Sequence, residues 1–220
     1  MKSIPIALIS LVGVGLARSE APKPVEELFL KMRKAYQAVD TVRLQARLRF
    51  YSPSASQTGV LSLEYAQPNK IRYAAEVGQN RVQRFSDGKK VVTIRDGSRT
   101  ETDKITVNTL GGQLPGNLEW LCFFDWKRQL STTPGNNMAK STFKLIPKEQ
   151  WNGKSWIVLE ETAPEVNVGV RYFIDPRTYL IWRCDVKSLS QKTQTARTEV
   201  TKLELHVKLD PSIFSPGPGN

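Results

Sequence analysis

The chain has 220 residues, 32 Lys and Arg against 21 Asp and Glu, a net charge of +11 and two cysteines. Two cysteines are too few for a disulfide-dense scaffold, and neither sits in a C-x-x-C redox pair or a metal knuckle. Beyond the first 21 residues no segment is long and apolar enough to cross a bilayer as a helix, which takes about 20 residues.

Residues 1–21 read as a secretory signal peptide. Lys2 supplies the positive start, Ile4 to Ala17 is a 14-residue apolar stretch broken by Pro5, and Ser19-Glu20-Ala21 offers small residues for cleavage. Cleavage after Ala17 is the alternative. The apolar stretch is short for an uncleaved anchor. No cysteine lies near the cleavage site, so the exported chain is not expected to be lipidated. A single domain is expected over residues 22–214, with a fraying Pro- and Gly-rich tail over 215–220. Without Lys2, Arg18 and Glu20 the net charge is +10. In a cytosolic protein that charge would suggest nucleic acid. Outside the cytosol it points to anionic lipid headgroups, a polyanionic surface polymer or an acidic partner, or else serves solubility alone, and no nucleic acid is expected.

Val25 to Val39 is predicted to be an amphipathic helix. Val25, Leu28, Phe29, Met32, Ala35, Tyr36 and Val39 recur on one face, while Lys31, Arg33 and Lys34 take the solvent side. Thr41 to Phe50 then alternates with period two. Val42, Leu44, Ala46, Leu48 and Phe50 point one way, and Arg43, Gln45, Arg47 and Arg49 the other. The same alternation puts Leu61, Leu63 and Tyr65 on one face of a strand over 59–66, and Ile71, Tyr73, Ala75 and Val77 on one face of the next. Further strands are predicted over 81–85, 91–94 and 99–107, separated by Gly78-Gln79-Asn80, Ser86-Asp87-Gly88 and Asp96-Gly97. Turns about every 8–12 residues indicate an antiparallel meander, sandwich or barrel with a greasy inner face.

The middle breaks the pattern. Asn117 can cap a helix over Leu118 to Leu130, whose Trp120, Phe123, Phe124 and Trp126 make it apolar nearly all round. Such a helix is either ordinary core or a lid over an apolar cavity. Strands resume over 143–146, 156–161, 168–174, 180–186 and 195–209, with Asn152-Gly153 as the strongest hairpin signal. Cys122 and Cys184 lie in apolar contexts. Export would permit a disulfide between them, and two buried thiols are the other reading.

No catalytic constellation accompanies this architecture. The lone histidine, His206, lies on the polar face of the last strand without a nucleophile or metal partners at useful spacing. Glu160 and Glu161 are strand neighbours that point to opposite faces, so they cannot act as one acid/base pair. Gly111-Gly112 lacks the setting of a phosphate loop. No enzyme activity, cofactor or metal is expected.

Four segments in order carry a resemblance. Pro68-Asn69-Lys70-Ile71-Arg72-Tyr73 is similar to a P-x-K-x-R-[aromatic] segment, and Phe85-Ser86-Asp87-Gly88-Lys89 to an S-D-G-K turn. Tyr172-Phe173-Ile174-Asp175-Pro176 is similar to a strand ending in Asp before a return hairpin, and Leu209 to Pro216 to a D-x-x-x-F…P close. Over nearly the whole exported chain they resemble the outer-membrane lipoprotein carrier superfamily, the LolA/LolB-like proteins. The resemblance implies a periplasmic, mainly antiparallel α+β protein. Its sheet would be an unclosed, strongly bent β-barrel with an N-terminal amphipathic helix and a central helical lid, here Leu118 to Leu130. The cavity would take acyl chains. No cavity arginine can be matched residue by residue.

The expected function is therefore carriage or binding of an acylated molecule, a lipoprotein or a lipid. The lining would be Leu44, Leu48, Leu61, Leu63, Tyr65, Ile71 and Tyr73, with Trp120, Phe123, Phe124 and Trp126 from the lid and Trp156 and Trp182 as weaker contributors. Arg43, Arg47, Arg49 and Arg72 would lie outside. The chain is expected to act as a monomer between membrane-bound donor and acceptor proteins. The rival readings are an envelope sensor acting by protein contact and an envelope-polymer hydrolase.

Overall fold

One antiparallel sheet of eleven strands makes up most of the described residues. The structure, a computed structural model, describes residues 23–52, 54–67, 69–103, 142–164 and 167–217. The expected signal peptide and the aromatic helix over 118–130 lie outside the described residues.

The helix α1 (Lys23–Gln37) precedes β1 (Thr41–Tyr51), β2 (Ser56–Ala66), β3 (Lys70–Val77), β4 (Asn80–Asp87), β5 (Val91–Arg95) and β6 (Ser98–Thr102). A second run follows: β7 (Thr142–Trp151), β8 (Lys154–Ala163), β9 (Val168–Ile174), β10 (Ile181–Ser188) and β11 (Gln194–Leu205). Each run is a meander of neighbouring hairpins. The two are joined where β1 pairs with β11, so the order is β6-β5-β4-β3-β2-β1-β11-β10-β9-β8-β7. The strands β6 and β7, consecutive among the described strands, therefore occupy opposite edges, and the sheet is not closed. This is the unclosed, bent sheet that the resemblance implies.

The register follows from side-chain alternation. Leu44 faces Leu203 on one side and Leu63 on the other, and Leu48 faces Thr198 and Gly59. A slip of one residue would carry the arginines of β1 into the core, which is why the pairing is firmly specified. The β1–β11 register shifts once, between Gln45 and Ala46, where the Thr201 hydroxyl donates to the Gln45 carbonyl at 3.2 Å. The β7–β8 hairpin turns on Asn152 (φ 53°) and Gly153 (φ 73°). Two consecutive left-handed residues make the tight turn whose twist matches the flanking strands.

Several expected boundaries move. The strand expected over 143–146 runs on through Pro147 to Trp151. Proline lacks a donor, but β7 is an edge strand whose register shifts between Ile146 and Glu149 there, so no ladder bond is lost. The last strand ends at Leu205 rather than Leu209, because His206 takes a left-handed φ of 54° and turns the chain. Its Nδ1 lies 2.7 Å from Asp40 Oδ1, which ties the end of β11 to the α1–β1 junction. The His206 hydrogen bond is the main reason the Asp40 carboxyl is held below its ordinary range. Beyond it, Pro211–Phe214 forms a 3-10 helix capped by Asp210, whose side chain accepts from the Ser212 N–H at 2.9 Å. Phe214 is buried as this turn packs on β3 and β4.

Candidate functional site

The inner face of the sheet is a single apolar cluster. It draws buried side chains from α1 and from β1, β2, β3, β5, β8, β9, β10 and β11. Val91 of β5 and Val168 of β9 belong to one cluster although six strands separate their own in the sheet. Eleven strands spaced about 4.8 Å apart would span about 50 Å if flat. One apolar cluster over that width, with α1 packed across it, fits a sheet bent around its inner face.

The helix enters this face by its apolar stripe. Val25, Leu28, Phe29, Met32 and Tyr36 are buried, with Val39 just beyond the helix end. Each such side chain contributes about 1.5–3 kcal/mol of burial. Specific contacts fix the docking. Phe29 meets Phe143 of β7 edge to face at 5.3 Å between ring centroids. The Tyr36 hydroxyl accepts from the Ile181 N–H at 3.1 Å, and the Lys31 ammonium lies 5.4 Å from the Tyr179 ring centroid. At the helix C-terminus the Gln67 amide donates to the Val39 carbonyl at 2.7 Å. The helix thus spans from the β2–β3 corner to β7 and the β9–β10 turn.

The sequence-predicted lining residues fall together here. Leu44 and Leu48 of β1, Leu61, Leu63 and Tyr65 of β2, and Ile71 and Tyr73 of β3 are all buried on the inner face and belong to this cluster. Trp120, Phe123, Phe124 and Trp126 lie outside the described residues. Trp156 sits elsewhere, and Trp182 lies against two clusters. Trp156, Val158 and Phe173 form a second cluster on the outer face of β8 and β9, with Ile146, Trp151 and Trp182 packed against it. Trp182 also touches the inner cluster.

Polar groups on the inner face were not anticipated as part of the site. Arg84 is 4% exposed, and its Nε donates to the Thr93 hydroxyl at 3.0 Å while its guanidinium lies 5.5 Å from the Tyr73 ring centroid. Glu161 is 2% exposed and accepts from the Tyr172 hydroxyl at 2.8 Å. Its neighbour Glu160 points outward to an ion pair with Arg171 at 2.9 Å, so the two carboxylates are separated by the sheet, as strand geometry requires. Parity held a signal for Arg84, since it shares the face of Tyr73, its register partner.

Cys184 is a buried free thiol on the inner face. Burial pushes its pKa well up, and the charges of Asp185 and Glu161 push the same way, because each disfavours a thiolate. In a Cys122→Ser background at pH 8, Ellman's reagent should therefore titrate no thiol until denaturant unfolds the sheet. Rapid labelling of the native protein would contradict this burial.

The outer face carries ion pairs. Arg43 lies 3.8 Å from Glu64 and 3.9 Å from Glu204, and Arg72 lies 3.7 Å from Glu64. Asp185 receives both Arg183 and Arg197. Among the described residues no group of three or more His, Cys, Asp and Glu side chains could hold a metal ion, and no helix is long and apolar enough to cross a membrane.

No family model and no curated protein matches the chain. Solved structures do. An uncharacterized conserved protein from Thermus thermophilus superposes with a TM-score of 0.56 at 9% identity, covering 90% of this chain and 96% of that one. A Pseudomonas aeruginosa MucA/MucB complex gives 0.46 at 12% identity, covering 88% of this chain and 61% of the matched one. A LolA superfamily protein from Nitrosomonas europaea gives 0.38 at 10% identity, covering 87% and 97%. This chain thus spans about three fifths of the matched chain in that complex. The likeness to the Thermus protein is one of fold and extends over nearly all of both chains.

Proposed function

We propose that this chain is an exported, periplasmic binder and carrier of an acylated molecule, a lipoprotein or a lipid, held on the inner face of the bent sheet. The observation that carries the reading is the extent of that apolar face: eight of the eleven strands of an unclosed sheet contribute buried side chains to it. A 15-residue helix, about 22 Å long and about 10 Å wide, packs on it by its apolar stripe. The lining is Leu44, Leu48, Leu61, Leu63, Tyr65, Ile71 and Tyr73, with Trp120, Phe123, Phe124 and Trp126 contributing from the expected lid. Burying an acyl chain is worth about 0.8 kcal/mol per CH₂, so apolar contact alone retains cargo without reactive chemistry. Membrane-bound proteins would donate and accept that cargo.

The test is native mass spectrometry of the exported protein after mild extraction, with uptake of a fluorescent fatty acid by the lipid-free form. Adducts of lipid mass and saturable uptake are expected. Lipid-free recovery with no uptake would overturn the carrier reading and favour an envelope sensor that works by protein contact.

A further inference from the structure

The outer face holds a block of six charged side chains on three adjacent strands. Cross-strand register places Arg47 of β1, Glu199 of β11 and Arg183 of β10 in one row. Arg49, Arg197 and Asp185 form the next row on the same strands. Four guanidinium groups therefore share two carboxylates. Asp185 already serves Arg183 and Arg197. Among the described residues, neither Arg47 nor Arg49 forms an ion pair, and Arg49 stands directly opposite another arginine. Like charges in that position cost stability. Elsewhere on this face Arg43, Arg72 and Arg171 each have an acidic partner. On the other side of β1, in register with Arg47, stands Val60, which is 59% exposed.

We infer that Arg47 and Arg49, with Val60 beside them, form a docking point for an extended acidic segment of a partner protein. Two residues apart on one strand, the arginines repeat at about 6.5–7 Å. An extended peptide with carboxylates two residues apart has the same repeat, and an apolar side chain at the next alternate position, on the same side as the carboxylates, can cover Val60. A uniformly anionic lipid surface fits less well, because the same face presents Glu64, Glu160, Glu199 and Glu204, which it would repel. This surface is separate from the inner face and does not depend on lipid carriage.

The experiment uses the exported chain, lipid-extracted, and a fluorescein-labelled peptide whose alternate positions read glutamate, glutamate and valine with threonine between them, read by fluorescence anisotropy. Salt-sensitive binding is expected, and Arg47→Gln/Arg49→Gln should weaken it by about tenfold or more, as two charge-assisted contacts are lost. Arg43→Gln, at an arginine already paired with Glu64 and Glu204, should change it less than about twofold on the same reasoning. The double variant should melt no lower than the parent, because a like-charge opposition is relieved. Several results would overturn the docking point: no peptide binding by the parent, equal binding by the double variant, a lowered melting temperature, or arginine-dependent binding confined to phosphatidylglycerol vesicles. Lipid uptake by the inner face is read separately, so its failure leaves this result intact.

Discussion

Replacing Met32 by glutamate should release α1 from the sheet. Met32 is 1% exposed at the centre of the helix's apolar stripe. A carboxylate cannot stay ionised there without several kcal/mol of cost. Undocking the helix is the cheaper response, since the sheet satisfies its own backbone through ten pairings that do not involve α1. The expected outcome is loss of about 3–5 kcal/mol of stability, in the range of severe core lesions. Far-ultraviolet circular dichroism should keep the β signal, and an apolar dye should bind the uncovered inner face. Complete loss of β structure would show that the helix is an integral part of the core.

Trp156→Ala should be the most costly change on the outer face. Trp156 is 5% exposed, its indole N–H donates to the Trp151 carbonyl at 3.0 Å, and its ring lies 5.0 Å from that of Trp151. Phe173 beneath is covered by the Arg183 guanidinium at 4.4 Å from its centroid. Removing the indole opens a cavity that these rigid neighbours cannot fill, at about 3–5 kcal/mol. Arg183→Lys should cost less, about 1–2 kcal/mol, because charge remains while planar stacking and the paired bonds to Asp185 are lost. Both are measured by urea unfolding. The consequence reaches the inner face, since the cluster anchors the β7–β8 hairpin and β7 supplies Phe143 to Phe29 of α1. Hydrogen exchange in β7 should therefore accelerate in Trp156→Ala. Unchanged β7 exchange would mean that the hairpin is held by its ladder alone.

The inner face was legible because each strand reports its two sides separately. Leu44, Leu63 and Tyr73 are assigned by parity, and the structure needs only to bring their strands together. Trp156 shows where that reasoning stops. It is large and apolar, but parity places it with Glu160 rather than Leu159, on a face that a one-sided view of the sheet treats as solvent. The outer face is not simply polar: an aromatic patch roofed by arginine makes a second small core there.

From the sequence alone came the alternation at Thr41 to Phe50, the helix stripe, the hairpin turns and the polarity of each face. These are local properties, set by a two-residue strand period, a 3.6-residue helix period and a few left-handed turn residues. What only the tertiary structure decided was the pairing of β1 with β11, which joins the two meanders and leaves β6 and β7 at opposite edges. That pairing links residues some 160 positions apart in the chain, such as Val42 and Leu205, and no local period encodes it. It also explains the arginines of β1. Set against β11, Arg43 finds Glu204 while Arg49 meets Arg197, so the same basic stripe is neutralised at one end and left charged at the other.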